Sequence, residues 1–354
     1  MNDYKALLEK YISNVVQQNA SDLHLSEGRV PIIRVSGVLV PLVNEQKLTR
    51  ADMEGIASII MPKEAQDRFK ATKEVDFSYS NNINARFRGN GFIRQEKMSF
   101  ALRLIPSQIK NLQELNLPPI LESFAQLEQG FFLVVGPVGQ GKTTTLASMI
   151  ETINQTRLEH IITIEDPIEY VYSEKKSIID QREVRIDTED FHTGLQNVFR
   201  QDIDVVLVGE MRGLETISTA VTAAETGHLV FSTLHTNDAS QTIDRIIDSF
   251  PAEQQDQIRI QLAGSLSGIF SQRLIPRISG GLIPAYELLI NNNAVANLIR
   301  KKRTHEIASV IETSSEQGMI DMNRSLADLV QRGEITIENA YQHSRNPKNL
   351  EKMI

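Results

Sequence analysis

The chain has 354 residues, more than one average domain, and its 41% hydrophobic and 23% charged residues are the balance of a globular protein that buries a sizeable core. A formal charge of −8 and a pI near 5.5 lack the basic footprint of a dedicated nucleic-acid binder, and without cysteine neither disulfides nor thiolate metal sites can form. The longest apolar runs, 131–135 and 205–208, fall far short of the roughly 18 residues that a membrane span requires, and the charged N-terminus lacks the apolar stretch of an export signal, so a cytoplasmic location is expected.

The spacing of Leu7, Leu8, Tyr11, Ile12, Val15 and Val16 predicts a helix over 4–19. Short runs rich in β-branched and aromatic residues follow at 32–35, 38–42, 75–79, 85–92 and 100–105, with one helical pattern at 50–60 between them. Residues 1–105 therefore read as a small α+β domain. Prolines at 106, 118 and 119 mark a linker over 106–119. After it, continuous apolar runs at 131–135, 161–164, 205–208 and 229–232 alternate with helical stretches, the signature of an α/β domain whose parallel sheet is covered on both faces, here over 120–294. From 295 to 354 the patterns are helical only.

Between the first of these runs and a helical stretch lies Gly136-Pro137-Val138-Gly139-Gln140-Gly141-Lys142-Thr143, which fits the phosphate-binding pattern G-x-x-x-x-G-K-[ST] at every fixed position. Glycines there let backbone N–H groups close around phosphate oxygens, and Thr144 continues into a helix whose positive end faces the same point. Such a loop implies ATP as ligand, with Lys142 reaching the β- and γ-phosphates and the Thr143 hydroxyl on Mg²⁺. Two later runs end in acids where open α/β sheets bind ligands: 204–208 leads to Glu210, and 161–164 leads to Glu165, Asp166 and Glu169. His228 and His235 bracket the run at 229–234, and His235 is a candidate phosphate sensor; no histidine spacing matches a metal site. In 85–92 strand periodicity puts Arg86, Arg88 and Asn90 on one face and Phe87 on the other, while Arg103 interrupts an apolar strand.

Taken together, GPVGQGKTTTLASM, ITIEDPIEYV, QREV, VLVGEMR, TAAETGHLVFSTLHTNDA and TIDRIIDSFPAEQQ, with ASDLHLSEG at 20–28 and ARFRGNGF at 85–92, resemble secretion ATPases. The chain is most similar to the PilT-like family of type IV pilus retraction motors. That resemblance implies a PAS-like N-terminal domain, a RecA-like P-loop ATPase domain and a C-terminal helical appendage, assembled as a homohexamer. It implies Mg·ATP as fuel, an inner-membrane pilus platform protein as partner, related motor ATPases as further partners, and no nucleic acid. Carried over by position, Lys142 and Thr143 belong to Walker A, Glu169 is the catalytic glutamate, and Glu210 is the Walker B glutamate that joins Thr143 at the metal. His228 and His235 form a His box, and Arg88 and Arg103 stabilise phosphate charge. Retraction is expected over extension, because extension motors typically carry a longer N-terminal region and a tetracysteine zinc site. The chain departs from the family pattern at Ile203, Gly213 and Ala296. A nucleotide-gated accessory subunit and a nucleic-acid translocase are the alternatives.

Overall fold

The computed structural model describes residues 3–354 apart from 36, 82–84, 107 and 212. The chain divides into two units, one of residues 1–108 with 169–171, the other of 109–168 with 172–354.

The first unit opens with α1 (Tyr4–Gln17), whose N-cap Asp3 accepts from the Ala6 N–H at 3.0 Å and whose stripe of Leu8, Tyr11, Ile12 and Val15 is buried. Then come β1 (Asp22–Ser26), β2 (Ile32–Val35), β3 (Val38–Pro41), α2 (Arg50–Ile60), α3 (Lys63–Thr72), β4 (Glu74–Ser80), β5 (Arg86–Arg94) and β6 (Lys97–Ile105). The strands pair antiparallel in the order β3-β2-β1-β6-β5-β4. Alternation splits this sheet into two faces. Leu23, Leu25, Ile33, Phe77, Phe87, Phe100 and Leu102 are buried in one core with α1 and α2. On the other face Ser78, Arg88, Arg103, Asp22 and Arg34 stand in register across five strands.

The glycines of β5 belong to the core face. Gly89 lies opposite Phe77, and a Cβ on it would stand 2.3 Å from the Phe77 ring; a Cβ on Gly91 would meet Phe100 at 3.1 Å. Each glycine leaves space that an aromatic ring fills, which accounts for the spacing of Arg-Gly-Asn-Gly in β5.

The second unit runs α4 (Ile120–Ala125), β7 (Gly130–Val135), α5 (Lys142–Thr156), β8 (His160–Glu165), β9 (Ile178–Glu183), α6 (Phe191–Val198), β10 (Val205–Val208), α7 (Leu214–Glu225), β11 (Leu229–Leu234), α8 (Ala239–Asp248), α9 (Ala252–Ser265), β12 (Leu266–Pro276) and β13 (Leu282–Ile290). It ends in α10 (Asn293–Arg300), α11 (Ile307–Thr313), α12 (Met322–Gln331), α13 (Ile337–His343) and α14 (Pro347–Leu350). The sheet order is β13-β12-β7-β11-β10-β8-β9. All neighbours are parallel except β12 and β13, so the sheet is mixed rather than wholly parallel. Alternate residues of the central strands feed opposite cores: Phe131, Leu133, Val135, Val206 and Val208 pack with α6 to α11, while Phe132, Val134, Leu207 and Phe231 pack with α4 and α5. Burial on both faces is why these strands read as unbroken apolar runs. The C-terminal helices α12 to α14 bury Met322, Leu326, Leu329, Ala340 and Leu350 against Ile275, Ile283 and Ala285 of the β12–β13 hairpin. Among the described residues no helix is long and apolar enough to cross a membrane.

Gly89→Ala is expected to lower the stability of the first unit by about 1–3 kcal/mol, the usual cost of overpacking a core. Hydrogen exchange of β4 to β6 under mild denaturant reads it, and unchanged protection would refute the packing role of Phe77.

Candidate functional site

β7 ends at Val135 and the chain crosses 136–141 before α5 begins at Lys142. Two glycines there have specific causes. A Cβ on Gly136 would lie 2.6 Å from the Gln272 carbonyl oxygen of β12, and Gly141 holds the left-handed φ of 79° that turns the loop into α5. As N-cap, Gly141 places no side chain over the first turn of α5, so nothing from that position covers the N–H groups that a phosphate would use. Gly139, also at a φ of 79°, sits where an added Cβ would meet open space, and Val138 is exposed at the tip beside Pro137.

The Lys142 side chain is only 7% exposed. Its ammonium donates to the carbonyls of Gly136 at 2.8 Å and Pro137 at 2.9 Å, and stands 3.2 Å from Nδ1 of His235. An ammonium cannot accept a hydrogen bond, so Nδ1 must accept, and the neutral ring then carries its proton on Nε2. Nε2 faces Glu210 Oε1 at 3.4 Å. Lysine, histidine and glutamate thus form a chain across three adjacent strands, because β7, β11 and β10 lie side by side and present their C-terminal ends together. The exit of β10 is pinned by Ser232 Oγ donating to the Val208 carbonyl and Thr233 Oγ1 donating to the Gly209 carbonyl, each at 2.7 Å.

The acids after β8 divide. Glu165 closes the strand, is 5% exposed and accepts from Thr163 Oγ1 at 2.7 Å. Asp166 pairs with Arg185 at 3.1 Å. Glu169 is exposed and groups with the first unit, whereas the lysine–histidine–glutamate chain is built from second-unit residues. Thr143 and Thr144 lie in the first turn of α5, both half-buried.

The two bracketing histidines do not meet within one chain. His228 precedes β11 and His235 follows it, so the strand's rise separates them by roughly 20 Å. His228 instead lies near the C-terminal end of α7, with Nδ1 3.1 Å from the Ala223 carbonyl and its ring edge-to-face with Phe199. His228 and His235 thus stand at opposite ends of β11, bracketing it as the sequence does.

Sequence reading passed over one glutamine, which holds another already placed in the loop. Gln272, 3% exposed, donates through Nε2 to the Gln140 carbonyl and accepts through Oε1 from Thr145 Oγ1, both at 2.7 Å. Gln140 Oε1 accepts from the Leu274 N–H at 2.7 Å. β12 thereby grips the loop from one side and α5 from the other.

In the first unit, Arg88 and Arg103 face each other in register on β5 and β6. Arg103 Nε donates to Asp22 Oδ1 at 3.0 Å. Burial pushes the Asp22 carboxyl up, but hydrogen bonds from Ser21 and Arg103 outweigh it and hold the group below the usual carboxylate range.

Among the described residues no cluster of three or more His, Asp or Glu could cage a metal. Mg²⁺ at nucleotide sites commonly takes one or two protein oxygens and completes its shell with phosphates and water, and the Thr143 hydroxyl and Glu210 carboxylate are hard oxygen donors of that kind.

A glycine loop at the end of a buried strand, with its lysine drawn in and acids on neighbouring strands, is the nucleotide site of a P-loop ATPase. Residues 3–343 match the Type II/IV secretion system protein family, and the chain belongs to it. It is 43% identical over 334 residues to the type IV pilus retraction ATPase PilT of Pseudomonas aeruginosa, covering 94% of this chain and 97% of that protein. It is also 43% identical to the twitching motility protein of Neisseria gonorrhoeae over 321 residues, 90% of this chain and 86% of the other. The crystal structure of the pilus retraction motor PilT with bound ADP superposes with a TM-score of 0.92 at 44% identity, covering 99% of each chain.

Lys142→Ala is expected to weaken ATP binding without unfolding the chain, since it removes the point charge on the phosphates. Gln272→Leu, which strips partners from Thr145 and Gln140, is expected to destabilise the second unit by about 1–3 kcal/mol and to weaken ADP binding as the loop loosens. Calorimetric titration with ADP beside a urea melt checks both, and wild-type affinity in either variant would contradict the role given to that residue.

Proposed function

We propose that the chain is a motor ATPase that couples ATP hydrolysis to the retraction of type IV pili, and hence to twitching motility. The observation that carries this reading is the chain of Lys142, His235 and Glu210 on a P-loop frame, in a protein similar along nearly its whole length to a pilus retraction motor. Lys142 exchanges its bonds to the loop carbonyls for the β- and γ-phosphates when nucleotide enters. That exchange frees Nδ1 of His235, which stands between the lysine and Glu210 and so registers the phosphate state. Glu210 orients the attacking water and accepts its proton. Thr143 and Glu210 would hold Mg²⁺, which would supply charge neutralisation at the phosphates. Glu169, the catalytic glutamate by resemblance, is the other acid placed to activate that water. Arg88 and Arg103 place permanent positive charge on one sheet face and act on the phosphates.

In this reading residues 1–105 are a PAS-like domain, 106–119 a linker, 120–294 a RecA-like domain and 295–354 a helical appendage. The working form is a homohexamer held at the cytoplasmic face of the inner membrane by a pilus platform protein, with related motor ATPases as further partners.

Glu210→Gln is expected to keep ADP binding and lose roughly 10²–10⁴-fold in turnover. Arg88→Lys and Arg103→Lys are expected to lower turnover by roughly tenfold or more, because lysine lacks the planar fork, whereas Arg86→Lys stays close to wild type. Phosphate release measures these, and equal small losses at all three arginines would mean that they are only charges on a solvated face. A deletion strain should assemble pili that it cannot withdraw, restored by the wild-type gene and not by Glu210→Gln. Normal retraction in the deletion strain would overturn the assignment, and a monomeric mass by light scattering with every nucleotide would overturn the ring.

A further inference from the structure

The segment 235–238 joins β11 to α8 and carries His235. Each residue after the histidine is tied down. Thr236 Oγ1 is 2.6 Å from Thr242 Oγ1. The Asn237 carbonyl accepts from Ser271 Oγ at 2.7 Å, and Asn237 Oδ1 accepts from Arg273 Nη2 at 2.9 Å. Asp238 caps α8 through Oδ1, which accepts from the Gln241 N–H at 2.6 Å, and its Oδ2 pairs with Arg345 Nη1 at 2.9 Å. The next residue, Ala239, donates its N–H to Glu287 Oε1 of β13 at 2.9 Å, and Glu287 Oε2 lies 3.7 Å from the same Arg345 nitrogen.

Arg345 thus lies between two carboxylates that both hold the start of α8. Glu287 is only 7% exposed, and burial pushes its carboxyl up; Arg345 and the Ala239 N–H lower it, while Asp238 and Asp321 raise it. Arg273 also faces this cluster. Without the Arg345 guanidinium, two acids would face each other beside the loop, one of them buried, and either the charge or the backbone would have to give. Arg345 itself belongs to the connector between α13 and α14. Ser344 Oγ donates to Asn323 Oδ1 at 2.7 Å, and Asn323 Nδ2 donates to the Asn346 carbonyl at 2.9 Å, so α12 fixes the connector on both sides of the arginine. The guanidinium therefore joins the C-terminal helices to the loop that carries His235.

We infer that Arg345 is a positioning residue for hydrolysis: by bridging Asp238 and Glu287 it sets the loop that holds His235 against Lys142 and Glu210, so the C-terminal helices govern turnover. This rests on the reading of the site as an ATPase centre. Asp238 needs no cation to cap a helix, since Asn caps equally well, so the ion pair can be removed while the cap stays.

The test uses the full chain with Arg345→Met, Arg345→Lys, Asp238→Asn and the double variant, each also in a His235→Ala background. Arg345→Met is expected to lower kcat roughly tenfold while KM for ATP and the number of ADP molecules bound per chain stay close to wild type. Arg345→Lys should recover part of the loss, and Asp238→Asn should reproduce it with no further loss in the double variant. In the His235→Ala background Arg345→Met should cost nothing more. Independently of turnover, the His235 ring resonance in protein carrying ¹³C-histidine, assigned by its disappearance in His235→Ala, should shift in Arg345→Met. An unmoved resonance, wild-type kcat in Arg345→Met, or an equal loss with and without His235 would overturn the inference. If the wild-type protein hydrolyses no ATP, the functional reading falls, and the resonance alone still decides whether Arg345 positions His235.

Discussion

An ammonium enclosed within the protein has to be surrounded by acceptors, and the site of this chain is arranged around that requirement at Lys142. Removing a charge from water costs several kcal/mol unless the lost hydration is replaced. Replacement here comes from the carbonyls of Gly136 and Pro137 and from Nδ1 of His235, so the loop must curl back over its own lysine. Curling back brings the loop against β12, where a side chain at position 136 would collide with the Gln272 carbonyl. Gln272 then meets the Gln140 carbonyl and the Thr145 hydroxyl with the two ends of one amide. The same lysine selects the tautomer of His235 and turns Nε2 toward Glu210. One buried charge thus fixes loop shape, strand contact and histidine protonation together.

Much of this could be read in the sequence, and what could not has physical reasons. The strands at 131–135, 161–164, 205–208 and 229–234 are buried on both faces, so their residues are apolar without interruption and the frame of the second unit shows plainly. The hairpin of β12 and β13 does not. Ser271, Gln272 and Arg273 interrupt its apolar residues, and Pro276 and Pro284 suggest breaks; Pro284 is tolerated because β13 is an edge strand. α3 was equally silent, since Phe69 is its only fully buried side chain. The nucleotide loop announced itself by pattern, but the glutamine that grips it did not, because Gln272 stands 132 residues from Gln140 and glutamine carries no motif of its own. His228 and His235 bracket a strand in the sequence as in the fold, and the segment that follows its C-terminal end carries His235.

The segment 235–238 gathers the consequences. On one side it presents His235 to the buried lysine; on the other it is tied by Asp238 and Ala239 to carboxylate and guanidinium groups. Two clusters of polar and charged groups share one short stretch of backbone. A displacement at either is therefore transmitted to the other, because close-packed interiors move between discrete arrangements and do not deform gradually.

The first unit makes the complementary argument from surface charge. The chain as a whole is acidic at −8, yet the row across its N-terminal sheet carries Arg34, Arg103 and Arg88 with the single carboxylate of Asp22 between the first two. Asp22 lies 3.0 Å from Arg103 and 3.7 Å from Arg34, and Arg88 has Ser78 and Arg103 as its register neighbours. Like charges set directly opposite on paired strands cost stability, so packing alone gives no reason to align Arg88 with Arg103. An anion supplied from outside the row removes that cost. The phosphates of a nucleotide, on which Arg88 and Arg103 are proposed to act, are such an anion, and an anion that relieves the repulsion favours the state in which it is bound.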